Sequence, residues 1–330
     1  MKTIALFFGG LSEEAEVSVM SAKNVVKYFD YHRYKLILIY WHKKDRRFYK
    51  VKNINYYIAP LAKDRIRIED FSTLFNVALL MTHGRYGEDG VLQAILESQK
   101  IKYCGSQVLS SALCMDKAVF KNLMSAAKIK QVKYNILDYI TMTPAELQAG
   151  ESEIKKIFKL PLFVKPANSG SSIGITKVEK YSDLAAAINE AKKHDRKILV
   201  EEGIVNPQEI EVAVVGNQKL IISRPGELKL VKDFYDYDAK YKLGEAKIIV
   251  PADISRVQVG KIRKIAAQAY RLAGCQGFAR VDFFVAKNKI YLSEINTIPG
   301  FTDISMFPLL MMNLGMGYQE LINKIIELAE

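Results

Sequence analysis

A continuous apolar run from Thr3 to Phe8, closed by Gly9-Gly10, predicts a buried strand followed by a tight turn. Val19, Ala22, Val26 and Phe29 then recur at helical spacing, so a helix lays one apolar face on that strand. Tyr34–Tyr40 and Asn76–Thr82 read as further strands, Gly90–Gln99 as a helix and Ile101–Cys104 as a short strand. Strands that alternate with helices predict a parallel sheet, so residues 1–105 read as one α/β domain. Residues 41–75 are basic and tyrosine-rich, show no clean period and stay unassigned.

The middle of the chain, residues 106–205, starts with helix signals. Asp116 suits the cap of a helix carrying Val119, Phe120, Leu123 and Met124. Leu160–Pro166 and Ile173–Val178 read as strands around a Gly/Ser loop, Tyr181–His194 as a helix and Lys197–Glu202 as a strand with an acidic end. The last third, residues 206–330, opens with a hairpin of Glu209–Val215 and Gln218–Ser223 around Gly216-Asn217. Residues 226–250 are polar and tyrosine-rich with few helix or strand signals, the profile of a functional loop. Arg256–Ala273 is a long amphipathic helix, Gly277–Val285 and Lys289–Asn296 are strands, and Tyr318–Leu328 is a closing helix.

Composition narrows the picture. Of 330 residues, 49% are apolar and 25% charged, ordinary for a soluble globular chain. No apolar run reaches the ~18 residues of a membrane helix. The first ten residues imitate a short signal peptide, but Glu13, Glu14 and Glu16 follow at once with no small-residue cleavage site, so a cytoplasmic protein is expected. Cys104, Cys114 and Cys275 are odd in number and form no CxxC, which reads as free thiols. The net charge of +12 is scattered, and its densest group, His42–Arg47, is short and interrupted by Asp45. That pattern reads as a solvated loop rather than a nucleic-acid surface. A general positive field does favour an anionic nucleotide.

Five stretches carry candidate chemistry. The first pairs Arg280-Val-Asp282 with Glu294-Ile-Asn296. Alternation puts Arg280 with Asp282 on one face, and Glu294 with Asn296 on one face of the partner strand. If Asp282 lies opposite Glu294, both acids point the same way, around a three- or five-residue loop at Lys287-Asn288-Lys289; a one-residue slip would split them between faces unless a bulge compensates. Two carboxylates and an amide suit Mg²⁺ or Mn²⁺ rather than zinc. The second stretch, Lys165 to Gly174, sets small residues and serines between two strands, where backbone N–H groups can approach phosphate and Lys165 can reach its oxygens. The third, Gly9 to Ser18, ends the first strand, where α/β folds bind ligands, and offers Glu16 either to a helix dipole or to an amino-acid ammonium. The fourth, His83 to Gly90, is richer in glycine and polar groups than a simple turn needs. The fifth, Phe234 to Tyr241, clusters aromatics that can form a lid over a closed site.

Taken together and in order, Phe8–Ser18, His83–Gly90, Tyr103–Ser106 with Met115–Lys117, Phe163–Ser172, Phe234–Tyr241, Ala279–Phe284 and Glu294–Thr302 resemble the D-alanine–D-alanine ligase family of the ATP-grasp superfamily. The resemblance implies a three-domain ATP-grasp fold, divided into residues 1–105, 106–205 and 206–330 with the first domain Rossmann-like. It implies ATP as cosubstrate, two Mg²⁺ (or Mn²⁺) and two D-alanine molecules as substrates. It implies a homodimer, with no nucleic-acid or membrane partner, and a role in peptidoglycan precursor synthesis. Asp282, Glu294 and Asn296 would be the metal ligands. Lys117, Lys165, Ser172 and Lys240 would hold phosphates, Glu201 and Glu202 the adenine and Glu209 the ribose. Glu16, with Ser171 and Tyr241, would take the first ammonium, and His83 would lie nearby. Arg280 and the Gly300 N–H would form the oxyanion hole, and Ser305 would hold the second carboxylate. Tyr241 favours D-alanine as acceptor; D-lactate or another D-amino acid is the alternative. The chain departs from the family pattern at Ala15, Ser293 and Asp303-Ile304.

Overall fold

Three β-sheets, one from each third of the chain, carry the fold, and the computed structural model describes residues 1–55, 62–170, 173–230 and 246–329. The first sheet runs β4-β3-β2-β1-β5-β6, from strands β1 (Lys2–Gly9), β2 (Tyr34–Trp41), β3 (Phe48–Val51), β4 (Arg65–Ile66), β5 (Val77–Leu80) and β6 (Lys102–Tyr103). The four consecutive strands β2-β1-β5-β6 are parallel, as the alternation with helices predicts. Ile4 to Phe8 are fully buried because both faces are covered. Ile4, Leu6 and Phe8 pack on Val19, Ala22 and Val25 of helix α1 (Ala15–Tyr28). Ala5 and Phe7 pack on Phe71 of α2 (Phe71–Leu74) and on Leu92 and Leu96 of α3 (Val91–Ser98). The unassigned segment after residue 41 holds β3, β4 and α2. None is longer than four residues, too short to display a period.

The second sheet is antiparallel throughout, in the order β7-β10-β8-β9. Its strands are β7 (Tyr134–Asp138), β8 (Leu162–Pro166), β9 (Thr176–Val178) and β10 (Lys197–Glu202), backed by α6 (Pro144–Ile157) and α7 (Leu184–Lys192). Strand β7 and helix α6 were not anticipated. The helix starts on a capping box, Thr143 with Glu146, with proline in its first turn. Ahead of the sheet lie α4 (Val108–Met115) and α5 (Lys117–Ala126). Asp116 caps α5 as expected, accepting from the N–H groups of Ala118 and Val119 at 3.1 Å.

The third sheet runs β14-β13-β11-β15-β16, with β12 also on β11. Its strands are β11 (Gln208–Val215), β12 (Ile221–Ile222), β13 (Gly226–Leu230), β14 (Ala246–Ile249), β15 (Phe278–Ala286) and β16 (Lys289–Asn296). Residues 226–250 are therefore not one loop: β13 and β14 pair, and the connection between them, 231–245, lies outside the described residues. Helix α8 (Arg256–Leu272) covers one face, where Ile262, Ala266 and Tyr270 meet Ile210, Val212, Val281 and Phe283. Helices α9 (Met306–Met312) and α10 (Tyr318–Leu328) return to the first sheet, so that Phe307, Leu310 and Leu321 share a core with Ile4 and Leu6. On the face of β11 and β15 away from α8, Ala213, Val215 and Phe278 pack against Phe307 and Leu310 of α9, and Glu211, Asp282 and Glu294 lie further along that same face. Among the described residues no helix is long and apolar enough to cross a membrane. The three cysteines are buried free thiols, with Cys114 Sγ 3.7 Å from Cys275 Sγ.

Candidate active site

The β15–β16 hairpin brings Asp282 opposite Glu294 and Arg280 opposite Asn296, as expected. It does so by a different route. The turn has two residues, Lys287 and Asn288, both with positive φ (47° and 62°), the signature of a type I′ turn. That turn pairs Phe283 with Leu292, a register that would put Asp282 opposite Ser293. A bulge between Asp282 and Phe283 absorbs Ser293 as an extra residue and advances the pairing by one. The bulge is what sets the two acids side by side. Val281, Phe283, Leu292 and Ile295 turn into the α8 core, leaving Arg280, Asp282, Glu294 and Asn296 on the opposite face.

Cations hold these acids. Arg280 is buried and donates to both Asp282 oxygens, Nε to Oδ1 at 2.8 Å and Nη2 to Oδ2 at 2.7 Å. Asn296 Nδ2 donates to the same Oδ2 at 2.9 Å. Burial opposes the guanidinium's charge, but Asp282, Glu211 and Glu294 outweigh it and raise its pKa. Glu294 pairs with Lys117 Nζ at 3.3 Å, and that ammonium also donates to the Ser169 carbonyl at 2.8 Å. Among the described residues no three acid, His or Cys side chains converge on one point. The oxygen donors Asp282, Glu294 and Asn296 nonetheless form a hard-cation set, with no imidazole or thiolate of the kind zinc prefers.

A second charged group lies on the cleft side of the second sheet. Glu201 sits between Lys121 Nζ, at 2.5 Å, and Lys165 Nζ. Lys121 is one turn along α5 from Lys117, so a single helix face serves both sheets. The sequence reading missed Lys121, which looks like a solvated lysine but is 2% exposed. Burial alone would raise the Glu201 pKa; Lys121 and Lys165 reverse that and hold it at about 2. Glu202, next along the strand, turns to the other face. It accepts from the Lys159 N–H at 2.8 Å and pairs with Lys133 at 3.5 Å, so its side chain stands apart from the cluster. Glu209 shares the cleft face of β11 with Glu211. Ser171, Ser172, Lys240 and Tyr241 lie outside the described residues.

Glu16 is exposed on α1, on a solvent stripe with Met20, Lys23 and Lys27. The buried carboxylate is Glu14, just before the helix. A Cβ on Gly84 or Gly170 would come within 2.1 or 2.6 Å of Glu14 Oε2, so the small residues of two loops make room for this one acid. Near it Glu88 accepts from the N–H groups of Ile298 (3.1 Å) and Gly84 (3.2 Å). Burial, with Glu14 adding to it, pushes Glu88 up to about 7. His83 has both ring nitrogens engaged, Nδ1 with the Ile298 carbonyl and Nε2 with Ser21 Oγ, each at 2.8 Å. Burial lowers its pKa, so the neutral ring donates from Nδ1 and accepts at Nε2. This makes His83 a clamp on the loop after β16 rather than a group poised for proton transfer. Ser21 Oγ in turn accepts from the Phe301 N–H at 3.1 Å. The same loop brings Gly300 against Ser305, whose Oγ accepts from the Thr302 N–H at 2.9 Å. Asp303 turns away to pair with Lys27 at 3.2 Å.

Glu201 gives a stability prediction. Its folded pKa lies below the ordinary value, so it contributes stability above pH ~4.5 that is lost as pH falls toward 2. Glu201→Gln leaves Lys121 and Lys165 facing each other in a buried site, at a cost of about 3–5 kcal/mol at pH 7. The deficit should shrink toward pH 10, as Lys121 sheds its proton more readily in the fold than in the unfolded chain. Denaturant unfolding at pH 7 and 9.5 checks this; equal deficits at both would contradict it. Adding Lys121→Met should recover part of the loss.

Family models for the N-terminal and C-terminal parts of D-ala D-ala ligase match residues 3–106 and 123–327. The D-alanine–D-alanine ligase of Chloroherpeton thalassium is 41% identical, over 99% of this chain and 96% of its own length. That of Clostridium acetobutylicum is 40% identical over 99% and 98%. Among solved structures, the VanG D-Ala:D-Ser ligase of Enterococcus faecalis superposes with a TM-score of 0.88 at 34% identity, covering 100% of this chain and 99% of that one. The D-alanine–D-alanine ligase of Coxiella burnetii gives 0.83 at 30% identity, covering 99% and 93%.

Proposed function

The chain belongs to the D-alanine–D-alanine ligase family, of ATP-grasp fold, and on that premise we propose that it joins two D-alanine molecules into D-alanyl-D-alanine, using ATP. The product serves peptidoglycan precursor synthesis, and the enzyme works in the cytoplasm as a homodimer. The observation that carries the reading is the pairing of Asp282 and Glu294 on one strand row with the lysines of α5 and β8 beside them. That is a hard-cation site next to a cationic phosphate site.

The first D-alanine's carboxylate attacks the γ-phosphorus and displaces ADP, giving an acyl phosphate. The second D-alanine's neutral amine then adds to the carbonyl carbon, and inorganic phosphate leaves the tetrahedral adduct. The protein's work is positioning and charge neutralisation. Glu14, in place of Glu16, takes the first ammonium with Ser171 and Tyr241. Lys117, Lys165, Ser172 and Lys240 bind phosphate oxygens, and Glu201 and Glu209 face the adenine and ribose. Asp282, Glu294 and Asn296 would hold two Mg²⁺ (or Mn²⁺), which when bound neutralise the charge the attacking carboxylate must approach. Arg280 and the Gly300 N–H stabilise the oxyanion, Ser305 fixes the second carboxylate, and His83 sets the loop that carries both.

The test is phosphate release from ATP with D-alanine, compared with L-alanine, D-lactate and D-serine as acceptor controls across pH. Release and dipeptide formation with D-alanine are expected; preferred coupling to D-lactate at neutral pH would reverse the acceptor assignment. Tyr241→Phe should weaken the preference for D-alanine over D-lactate, and an unchanged acceptor ratio would refute its role.

A further inference from the structure

Strand register places three carboxylates directly opposite one another: Glu211 on β11, Asp282 on β15 and Glu294 on β16. Like charges in directly opposed positions are destabilising, and solvent reaches only the Glu294 end of this row to any extent. The side chains are 8%, 15% and 28% exposed in that order. Arg280 lies one row away, between Ala213 and Asn296. Its guanidinium is in contact with two of the acids, Nε lying 2.9 Å from Glu211 Oε2 as well as 2.8 Å from Asp282 Oδ1. The hydrogen bonds are aimed at Asp282; Glu211 stands at ion-pair distance on the other side.

We propose that Glu211 is a positioning residue for Arg280, holding the guanidinium in place when Asp282 turns to a divalent cation. The inference rests on the ligase reading of this site. Asp282 has Oδ1 committed to Nε, and Oδ2 to both Nη2 and Asn296 Nδ2. Three of its roughly four lone-pair sites are taken, so ligation through Oδ2, or through both oxygens, requires it to loosen its grip on Arg280. The single Nε–H cannot serve two acceptors at full strength. Once Asp282 moves to the metal, Arg280 Nε–H donates to Glu211 instead, which is already in contact. Arg280 then keeps a buried counter-ion and its place on the strand face, while its Nη groups become available to the developing oxyanion. Glu211 therefore links two events: it lowers the competition between arginine and metal for Asp282, and it keeps the arginine aimed.

The test uses the full chain with Glu211→Gln and Glu211→Asp, read by Mn²⁺ binding in electron paramagnetic resonance with ADP present, and by kcat and KM. Loss of a residue that orients a metal site costs on the order of 10–100-fold. In Glu211→Gln we expect Mn²⁺ affinity and kcat to fall by that order while KM for ATP moves less than about threefold, with Glu211→Asp restoring most of both. Mn²⁺ affinity and kcat equal to the parent would overturn the proposal. So would losses that track a fall in thermal midpoint and are not repaired by aspartate, since those describe a structural ion pair. If the parent protein itself releases no phosphate with D-alanine, the ligase reading fails, and the Mn²⁺ isotherm still decides the role of Glu211.

Discussion

Glu294→Gln is expected to lower dipeptide formation by about 10³-fold while leaving the fold in place, because a metal ligand contributes several kcal/mol of transition-state charge stabilisation. The substitution keeps the shape of the side chain and one carbonyl oxygen. It removes the negative charge that a divalent cation needs and that Lys117 meets at 3.3 Å. The stability cost should stay near 1 kcal/mol, since Glu294 is 28% exposed and pairs of that kind contribute little. A large kinetic loss with a small shift in unfolding midpoint is therefore the signature to look for. Excess Mg²⁺ should recover part of the activity by mass action. Activity within about tenfold of the parent, measured at saturating ATP, would remove Glu294 from the metal set.

Asp282 and Glu294 share a face as alternation predicts, but around a shorter turn than expected. Alternation places Asp282 with Arg280 and Glu294 with Asn296 whatever the loop, because side chains two apart always share a face. It does not reveal Ser293 as a bulge, since an extra residue leaves the pattern on either side intact. The loop length was therefore misjudged although the register was correct. Glu16 failed for another reason. Its chemistry suits an ammonium, but the helix starting at Ala15 puts it at i, i+4, i+7 and i+11 with Met20, Lys23 and Lys27, all exposed. That stripe could have been read from the sequence and would have moved attention to Glu14. Glu211 was also within reach, two residues along the same strand from Glu209. Lys121 was not: nothing local distinguishes a buried lysine from a solvated one until the carboxylate from another sheet, Glu201, is brought against it.

Arg280→Met should be the most damaging single change on the site face, and it should damage stability and catalysis by separable routes. Methionine fills much of the arginine's volume, so the packing loss is modest; the charge loss is not. Glu211, Asp282 and Glu294 would remain in one row with their common cation gone and Lys117 reaching only Glu294. Removing one partner from a buried ion pair costs about 3–5 kcal/mol, because the charge left behind stays desolvated. A divalent cation can relieve this by supplying the missing positive charge. Mg²⁺ without nucleotide should raise the variant's thermal midpoint by more than it raises the parent's, whose acids already hold an arginine. Turnover should not follow. On the oxyanion role proposed for Arg280, removing the guanidinium takes away a donor of a kind whose loss costs about 10²–10³-fold, and Mg²⁺ would not replace it there. A variant whose midpoint ignores Mg²⁺ would show that the three carboxylates do not share one electrostatic balance, and recovery of turnover along with stability would show that Arg280 serves the fold alone.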